Sequence, residues 1–230
     1  MRIYAIGDVH GRADLLERLY GLIQADLKDS PAQRVVEIFL GDYVDRGPNS
    51  NEVIDWLLEG PRLAHKRICL RGNHELMMQA FLDDASVIGS WGQYGGFETL
   101  YSYGIRVKLP IAEDMHEEVQ RAFRGALPPA HGEFLRGLRA MASAGGYYFA
   151  HAGVNPARPL ADQVEDDLYW IREPFLSHGR ALEKIVVHGH TPSEQPEIEV
   201  HRIGIDTGAY VTGRLTCAVL EGAEVRFLST

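Results

Sequence analysis

Three stretches of this chain share one build: an apolar run that stops at a glycine and is followed at once by residue types that bind metals. They are Ile3-Tyr-Ala-Ile-Gly-Asp8-Val-His10-Gly11, Leu40-Gly-Asp42-Tyr-Val-Asp45-Arg46-Gly47 and Arg67-Ile-Cys-Leu-Arg-Gly72-Asn73-His74-Glu75. Two later apolar runs also end in a metal-binding residue type, Tyr147-Tyr-Phe-Ala-His151 and Ile185-Val-Val-His-Gly-His190. The candidate ligands are therefore Asp8, His10, Asp42, Asn73, His151 and His190. Carboxylate, imidazole and amide oxygen without thiolate suit Mn, Fe or Zn rather than a soft cation. Carboxylates in excess imply two divalent cations, with Mn first and Fe or Zn as alternatives. A carboxylate can bridge ions about 3.5–4 Å apart, and such pairs clamp the attacking and leaving oxygens of a phosphoryl displacement. Asp42, on the middle segment, is the expected bridge.

Taken singly these residues say little, since an Asp or Asn after a strand is most often a turn former. Six of them at successive strand ends, nearly all beside Gly, reverse that weighting. His188 is expected to occupy a strand, and His65, His116, His131, His178 and His201 to lie at the surface. Asp206 reads as a turn or supporting residue, and Met77 and Met78 as helix core.

The elements that must position these groups follow from periodicity. Arg2 to Ile6 reads as a buried strand, and Leu15, Leu16, Leu19, Leu22 and Ile23 share a helical face within Gly11 to Leu27. Val35 to Leu40 is a second strand, Ser50 to Leu58 a second helix, and Arg67 to Leu70 a third strand. This βαβαβ alternation predicts a layered α/β fold. Between Leu76 and Gly146 the pattern changes to helices near Glu113 to Arg124 and His131 to Met141, expected to form a helical insertion over the strand ends. The closing strands, from Ile203 to Phe227 with a turn at Thr212-Gly213, are expected to be antiparallel.

At 230 residues the chain suits a single domain, 1–230, with 76–146 inserted within it. A net charge of −9 argues against nucleic acid as a partner, because phosphate backbones recruit basic surfaces. No apolar run approaches the roughly 20 residues that span a bilayer, and Met1-Arg2 leads straight into a strand rather than a signal peptide. Cys69 and Cys217 are the only cysteines; both are expected as buried thiols in a reducing cytoplasm.

Gly7-Asp8-Val9-His10-Gly11, Gly41-Asp42-Tyr43-Val44-Asp45-Arg46-Gly47 and Gly72-Asn73-His74-Glu75 together resemble the three signatures of the phosphoprotein phosphatase (serine/threonine phosphatase) family of metallophosphoesterases. The likeness continues through His151-Ala-Gly, Trp170-Ile-Arg172, Gly189-His190-Thr-Pro and Ile205-Asp-Thr-Gly-Ala209. The short bacterial and phage lambda-type enzymes look most similar. The resemblance implies the metallophosphoesterase fold, with central mixed β-sheets flanked by helices and a small helical insertion over the active site. It implies that Asp8, His10 and Asp42 hold one metal, and that Asp42, Asn73, His151 and His190 hold the other. His74, oriented by Asp45, would protonate the leaving oxygen. Arg46 and Arg172, with Asn73 and His74, would hold the phosphate.

Two metals would bring the pKa of a bridging water toward about 7, so a hydroxide attacking phosphorus in one step, without a phosphoenzyme, is the expected reaction. The expected substrate is a phosphorylated protein, with a small phosphoester as the other possibility. The similar diadenosine tetraphosphate hydrolases share the first and third motifs but tend to lack the counterpart of Asp45 and to carry Asp where Glu75 stands. Pro192, where many broader metallophosphoesterases have a second His, also points to the protein phosphatase branch, although Tyr94 replaces the Asn usual before Gly95-Gly96. A symmetrical tetraphosphate hydrolase is the alternative, and a non-catalytic phosphate or metal sensor is disfavoured by the pairing of His74 with Asp45. The insertion aromatics Trp91, Tyr94, Phe97, Tyr101 and Tyr103 are expected as local core, with a substrate surface as the competing reading.

Overall fold

Strand β1 (Arg2–Ile6) is buried along its whole length, and its alternate residues serve two different cores. Tyr4 and Ile6 pack with α1 (Ala13–Asp29) and α2 (Ser50–Leu58), whereas Ile3 and Ala5 face a second sheet. The same division holds in β2 (Val35–Phe39), with Val35 and Phe39 on the helix side and Val36 and Ile38 between the sheets. A strand apolar at nearly every position is what a sheet covered on both faces requires; the exception in β2, Glu37, is buried and paired with Arg67 at 2.8 Å. The computed structural model describes all 230 residues.

The first sheet has five strands in the order β10-β9-β1-β2-β3, where β3 is Lys66–Cys69, β9 Thr216–Glu221 and β10 Glu224–Ser229. Strands β1, β2 and β3 run parallel. The second sheet has the order β4-β5-β6-β8-β7, with β4 Met141–Ala144, β5 Tyr147–Ala150, β6 Ile185–His188, β7 Glu197–Ile198 and β8 Arg202–Gly204. Its outer face carries Tyr148, Ala150 and Val186 against Leu168, Tyr169, Ile171 and Phe175. The layers are thus helices, sheet, sheet and a smaller helical cover, a mixed α/β architecture of the expected class. No helix is long and apolar enough to cross a membrane.

Several local expectations need correction. The late strands are not uniformly antiparallel: β6 pairs parallel with both β5 and β8, whereas β4–β5, β7–β8, the β9–β10 hairpin and β9 against β1 have the expected sense. Long crossovers between β5, β6 and β8 permit the parallel pairing. Thr212-Gly213 closes the short helix Ala209–Thr212 instead of a hairpin; Gly222, at φ +63°, sits in the β9–β10 turn. The helix expected over His131 to Met141 ends at Gly137, and Met141 opens β4, so the inserted segment contributes a strand to the second sheet. Leu22 is half exposed, because Tyr20 takes the place it was given on the buried face of α1.

His131 and His201 are buried rather than superficial. His131 bridges the Tyr103 hydroxyl at 2.7 Å and Asp55 at 2.9 Å, and His201 packs on Phe175 with its Nε2 2.9 Å from that residue's carbonyl. Cys217 is buried but Cys69 only partly so, and the two are unpaired. Of the insertion aromatics, Trp91 is fully buried, while Tyr94 and Tyr101 are exposed.

Candidate active site

Parallel strands deliver their C-terminal ends to one edge, where ligand sites form in α/β sheets. Asp8 and His10 follow β1, Asp42 follows β2, and Asn73 opens helix α3 (Asn73–Asp83) after β3. His151 follows β5 and His190 follows β6, so the two sheets each supply part of one basin. The chain bends sharply there: His10, Asp42, Asp45, Arg46 and His190 all adopt left-handed φ between +45° and +72°. Non-glycine residues rarely do so. Close approach is needed too, since a Cβ on Gly72 would lie 2.0 Å from Asp42 Oδ1 and one on Gly189 1.9 Å from Asp8 Oδ1.

Asp42 stands at the centre. His10 Nε2 lies 3.5 Å from its Oδ2 and His151 Nε2 3.4 Å from its Oδ1. Asn73 Oδ1 is 2.9 Å from both His151 Nε2 and His190 Nδ1. The outer nitrogens are already committed. His10 Nδ1 is 2.9 Å from the Val44 carbonyl and His151 Nδ1 3.0 Å from the Leu40 carbonyl. Donation of Nδ1–H to those carbonyls leaves Nε2 as a lone pair facing the basin, the tautomer a metal needs. Two overlapping groups suited to an ion result, His10–Asp42–His74 and Asp42–His151–His190.

The electrostatics agree with that use. Burial pushes His10 and His190 down to about 3 and lowers His151, so all three imidazoles are held neutral. Burial would push Asp42 upward, but the electrostatic pull of the surrounding imidazole cluster, His151 first, outweighs it and holds the carboxyl below the usual carboxylate range. Asp8 is raised by burial and by the neighbouring carboxylates of Asp206 and Asp42. Its Oδ2 accepts from the His190 backbone N–H at 2.9 Å, while its Oδ1 is buried with no partner. An orphaned buried carboxylate oxygen among neutral imidazoles is the signature of a cation site, since buried charges are otherwise paired. The residues present fit two divalent metals.

Beside the basin stands the second functional group. His74 Nδ1 is 2.7 Å from Asp45 Oδ2, and its Nε2 points back toward Asp42 Oδ2 at 3.8 Å. Burial opposes a charge on His74, but Asp42 and Asp45 together raise its pKa. The Arg46 guanidinium lies 3.1 Å from His74 Nε2 and 3.3 Å from His10 Nε2 and stacks on the Tyr210 ring at 4.7 Å. Arg172 is exposed, two residues after the short helix Glu165–Trp170, whose Trp170 ring is 6.3 Å from His190, and the Arg172 charge is felt at that histidine. His188 stays in β6 with its ring against Phe175, away from the basin.

A family model described as calcineurin-like phosphoesterase matches residues 1–220. The chain belongs to that family. An asymmetrical bis(5'-nucleosyl)-tetraphosphatase of Anoxybacillus flavithermus is 25% identical, covering 92% of this chain and 87% of that one. A Caenorhabditis elegans chain provisionally named a serine/threonine-protein phosphatase is 41% identical over 75 residues, 32% of this chain and 15% of that one. Among solved structures, one provisionally assigned as a diadenosine tetraphosphatase superposes with a TM-score of 0.67 over 99% of this chain and 93% of that one, at 22% identity, a likeness of fold.

In this calcineurin-like phosphoesterase, several residues support the site in ways that motif reading does not assign. Glu75 accepts the backbone N–H groups of Asp42 (2.9 Å), Tyr43 (2.8 Å) and Gly72 (2.9 Å), and so holds the bridging loop against helix α3. The signal was present, since an acid three residues after Gly72 is a capping-box position. Trp91 Nε1 and Thr99 Oγ1 donate to Asp45 at 2.9 and 2.6 Å. Asp206, also buried, is pushed up to about 6 by burial and by Asp42, and faces Asp8.

Proposed function

We propose that the protein hydrolyses phosphoric esters in a single displacement, with His74 protonating the leaving oxygen and Arg46 and Arg172 holding the phosphoryl group. The observation that carries this is the His74–Asp45 pair at 2.7 Å, set beside Asp42 and within reach of Arg46. Asp8, His10 and Asp42 would hold one divalent cation, and Asp42, Asn73, His151 and His190 the other, with Mn the first choice. Such ions, when bound, supply Lewis acidity toward the phosphoryl oxygens and an acidified water. Asp45 fixes the His74 ring and stabilises its protonated form, and the guanidinium forks match two phosphoryl oxygens at once. Because no serine, cysteine or aspartate nucleophile is invoked, no phosphoenzyme should be trapped on quenching.

The acid pair favours a substrate with a strongly basic leaving oxygen, such as the alkoxide of a phosphoserine or phosphothreonine in a protein, because such oxygens gain most from proton donation. A second reading, hydrolysis of dinucleoside tetraphosphates, is favoured by the relative that spans nearly the whole chain under that name. A reducing cytoplasm suits the two unpaired cysteines. In Mn-supplemented assays, His74→Asn should lower turnover of phosphoserine peptide by about 10²–10⁴-fold and of p-nitrophenyl phosphate much less. Equal losses on both substrates would remove His74 from the acid role. Faster turnover of diadenosine tetraphosphate than of any phosphopeptide would select the second reading.

A further inference from the structure

Next to Arg46 the surface opens into a cleft of about 380 Å³ lined by Arg46, Gln93, Tyr94, Gly95, Glu98 and Tyr210. It lies outside the set of groups assigned above to metal binding and proton transfer. Two aromatic rings border it from different parts of the chain. Tyr94 comes from the inserted segment, is 48% exposed and sets its ring 6.3 Å from His74; Tyr210 comes from the short helix before β9 and lies under the Arg46 guanidinium. The position of Arg46 between them is fixed by the backbone. Its N–H donates to the Gly95 carbonyl at 3.2 Å, and a Cβ on Gly95, at φ +100°, would come within 2.5 Å of that nitrogen.

Most large aromatics nearby are spent on packing: Trp91, Phe81 and Phe123 are fully buried against one another. Tyr94 is not, and it meets the site's own arginine across an open cleft. Exposed rings beside a cation bind flat π-systems by stacking, and the guanidinium adds a cation–π contact. The amide of Gln93 and the carboxylate of Glu98 add donor and acceptor capacity at the edge of such a ring, the combination by which bases are read. The volume falls within the roughly 300–1,000 Å³ of small-molecule sites.

We propose that this cleft is a subsite for the nucleobase of a nucleotide whose phosphate lies at Arg46. The proposal rests on the phosphate-binding reading of Arg46 and deepens it by naming the substrate class.

The test titrates AMP and ribose 5-phosphate into the full chain by calorimetry, with Mn²⁺ and again after chelation, while phosphate release from a phosphoserine peptide is followed separately. AMP should bind about 5- to 150-fold tighter than ribose 5-phosphate, the span that one stacked base contributes. Tyr94→Leu should collapse that ratio to about one, and Tyr94→Phe, which keeps the ring, should preserve it. Since each ratio is taken within one variant, a general loss of folded protein does not mimic the result. A ratio near one in the unaltered chain overturns the proposal. So does a ratio that Tyr94→Leu leaves intact, or a loss confined to the phosphopeptide. If no ester is hydrolysed yet the ratio stands, the hydrolase reading fails and the subsite survives; hydrolysis without the ratio sinks the subsite alone.

Discussion

Asp45 and Asp8 are buried carboxylates in one basin, and they are satisfied in opposite ways. Asp45 takes His74 and Trp91 on one oxygen and Thr99 on the other, all within 2.9 Å, and its backbone N–H is held by Ser50 and Thr99 as well. Asp8 has a single backbone donor on Oδ2, an unpartnered Oδ1, and two carboxylates for neighbours. One half of the site is complete as protein; the other is complete only around a cation. Burial alone does not distinguish them, whereas the count of donors does.

The sharpest way to break this contrast is at the shared carboxylate. Asp42→Ala should lower metal content below two per chain by elemental analysis and reduce hydrolysis by more than about 10³-fold, since metal catalysis supplies several kcal/mol. Full metal occupancy in that variant would end the bridging assignment.

Next comes the pair itself. Asp45→Asn should destabilise the chain by about 1–3 kcal/mol with or without metal, the usual cost of disrupting a buried charged network. Asp8→Asn should leave the chelated protein as stable or more so. It should also abolish the gain on Mn addition, which for an ion at 100 times its Kd is about 2.7 kcal/mol, or roughly 5–10 °C in Tm for a chain of this size. Thermal unfolding of both variants with chelator and with Mn²⁺ decides the matter; equal damage to the chelated protein would erase the distinction.

Acid titration offers a subtler check. Asp206 is held up at about 6 and Asp8 is raised as well, so the folded chelated chain keeps protons that the unfolded chain releases. Stability from these groups is present below the ordinary carboxylate range and falls as pH climbs from about 4 to 6, by about 3 kcal/mol at most for Asp206. Tm of the chelated protein should therefore decline more over that interval than Tm of Asp206→Asn, and Mn²⁺, which requires ionised ligands, should oppose the decline. A parallel pair of curves would mean that Asp206 carries no proton in the fold. The smallest effect is expected for Trp91→Phe, which removes one of three donors to Asp45 and should cost about 1 kcal/mol.

Much of the metal half could be read from the chain because each candidate ligand follows an apolar strand, and all but His151 stand beside a glycine, so local pattern and spatial convergence coincide. The acid half was legible only in His74 and Asp45. Trp91 and Thr99, which finish it, lie 46 and 54 residues beyond Asp45, in a segment whose aromatics look like ordinary core. The same limit explains the second sheet. Whether β6 pairs parallel with β8 depends on how crossovers pack, which strand periodicity does not encode. It also explains His131 and His201, whose burial is set by Tyr103, Asp55 and Phe175 from distant segments.

The left-handed turns at His10, Asp42, Asp45, Arg46 and His190 have a bearing on how such a chain can evolve. Each non-glycine residue in that conformation costs about 1–2 kcal/mol, so the group together withholds an amount comparable to the 5–15 kcal/mol by which a typical domain is stable. At Arg46, glycine would relieve the backbone without disturbing a buried partner carboxylate, and would remove in the same step the guanidinium proposed to hold the phosphoryl group. Selection for robustness alone would then drift toward an inert scaffold, and keeping these side chains requires a continuing demand for turnover.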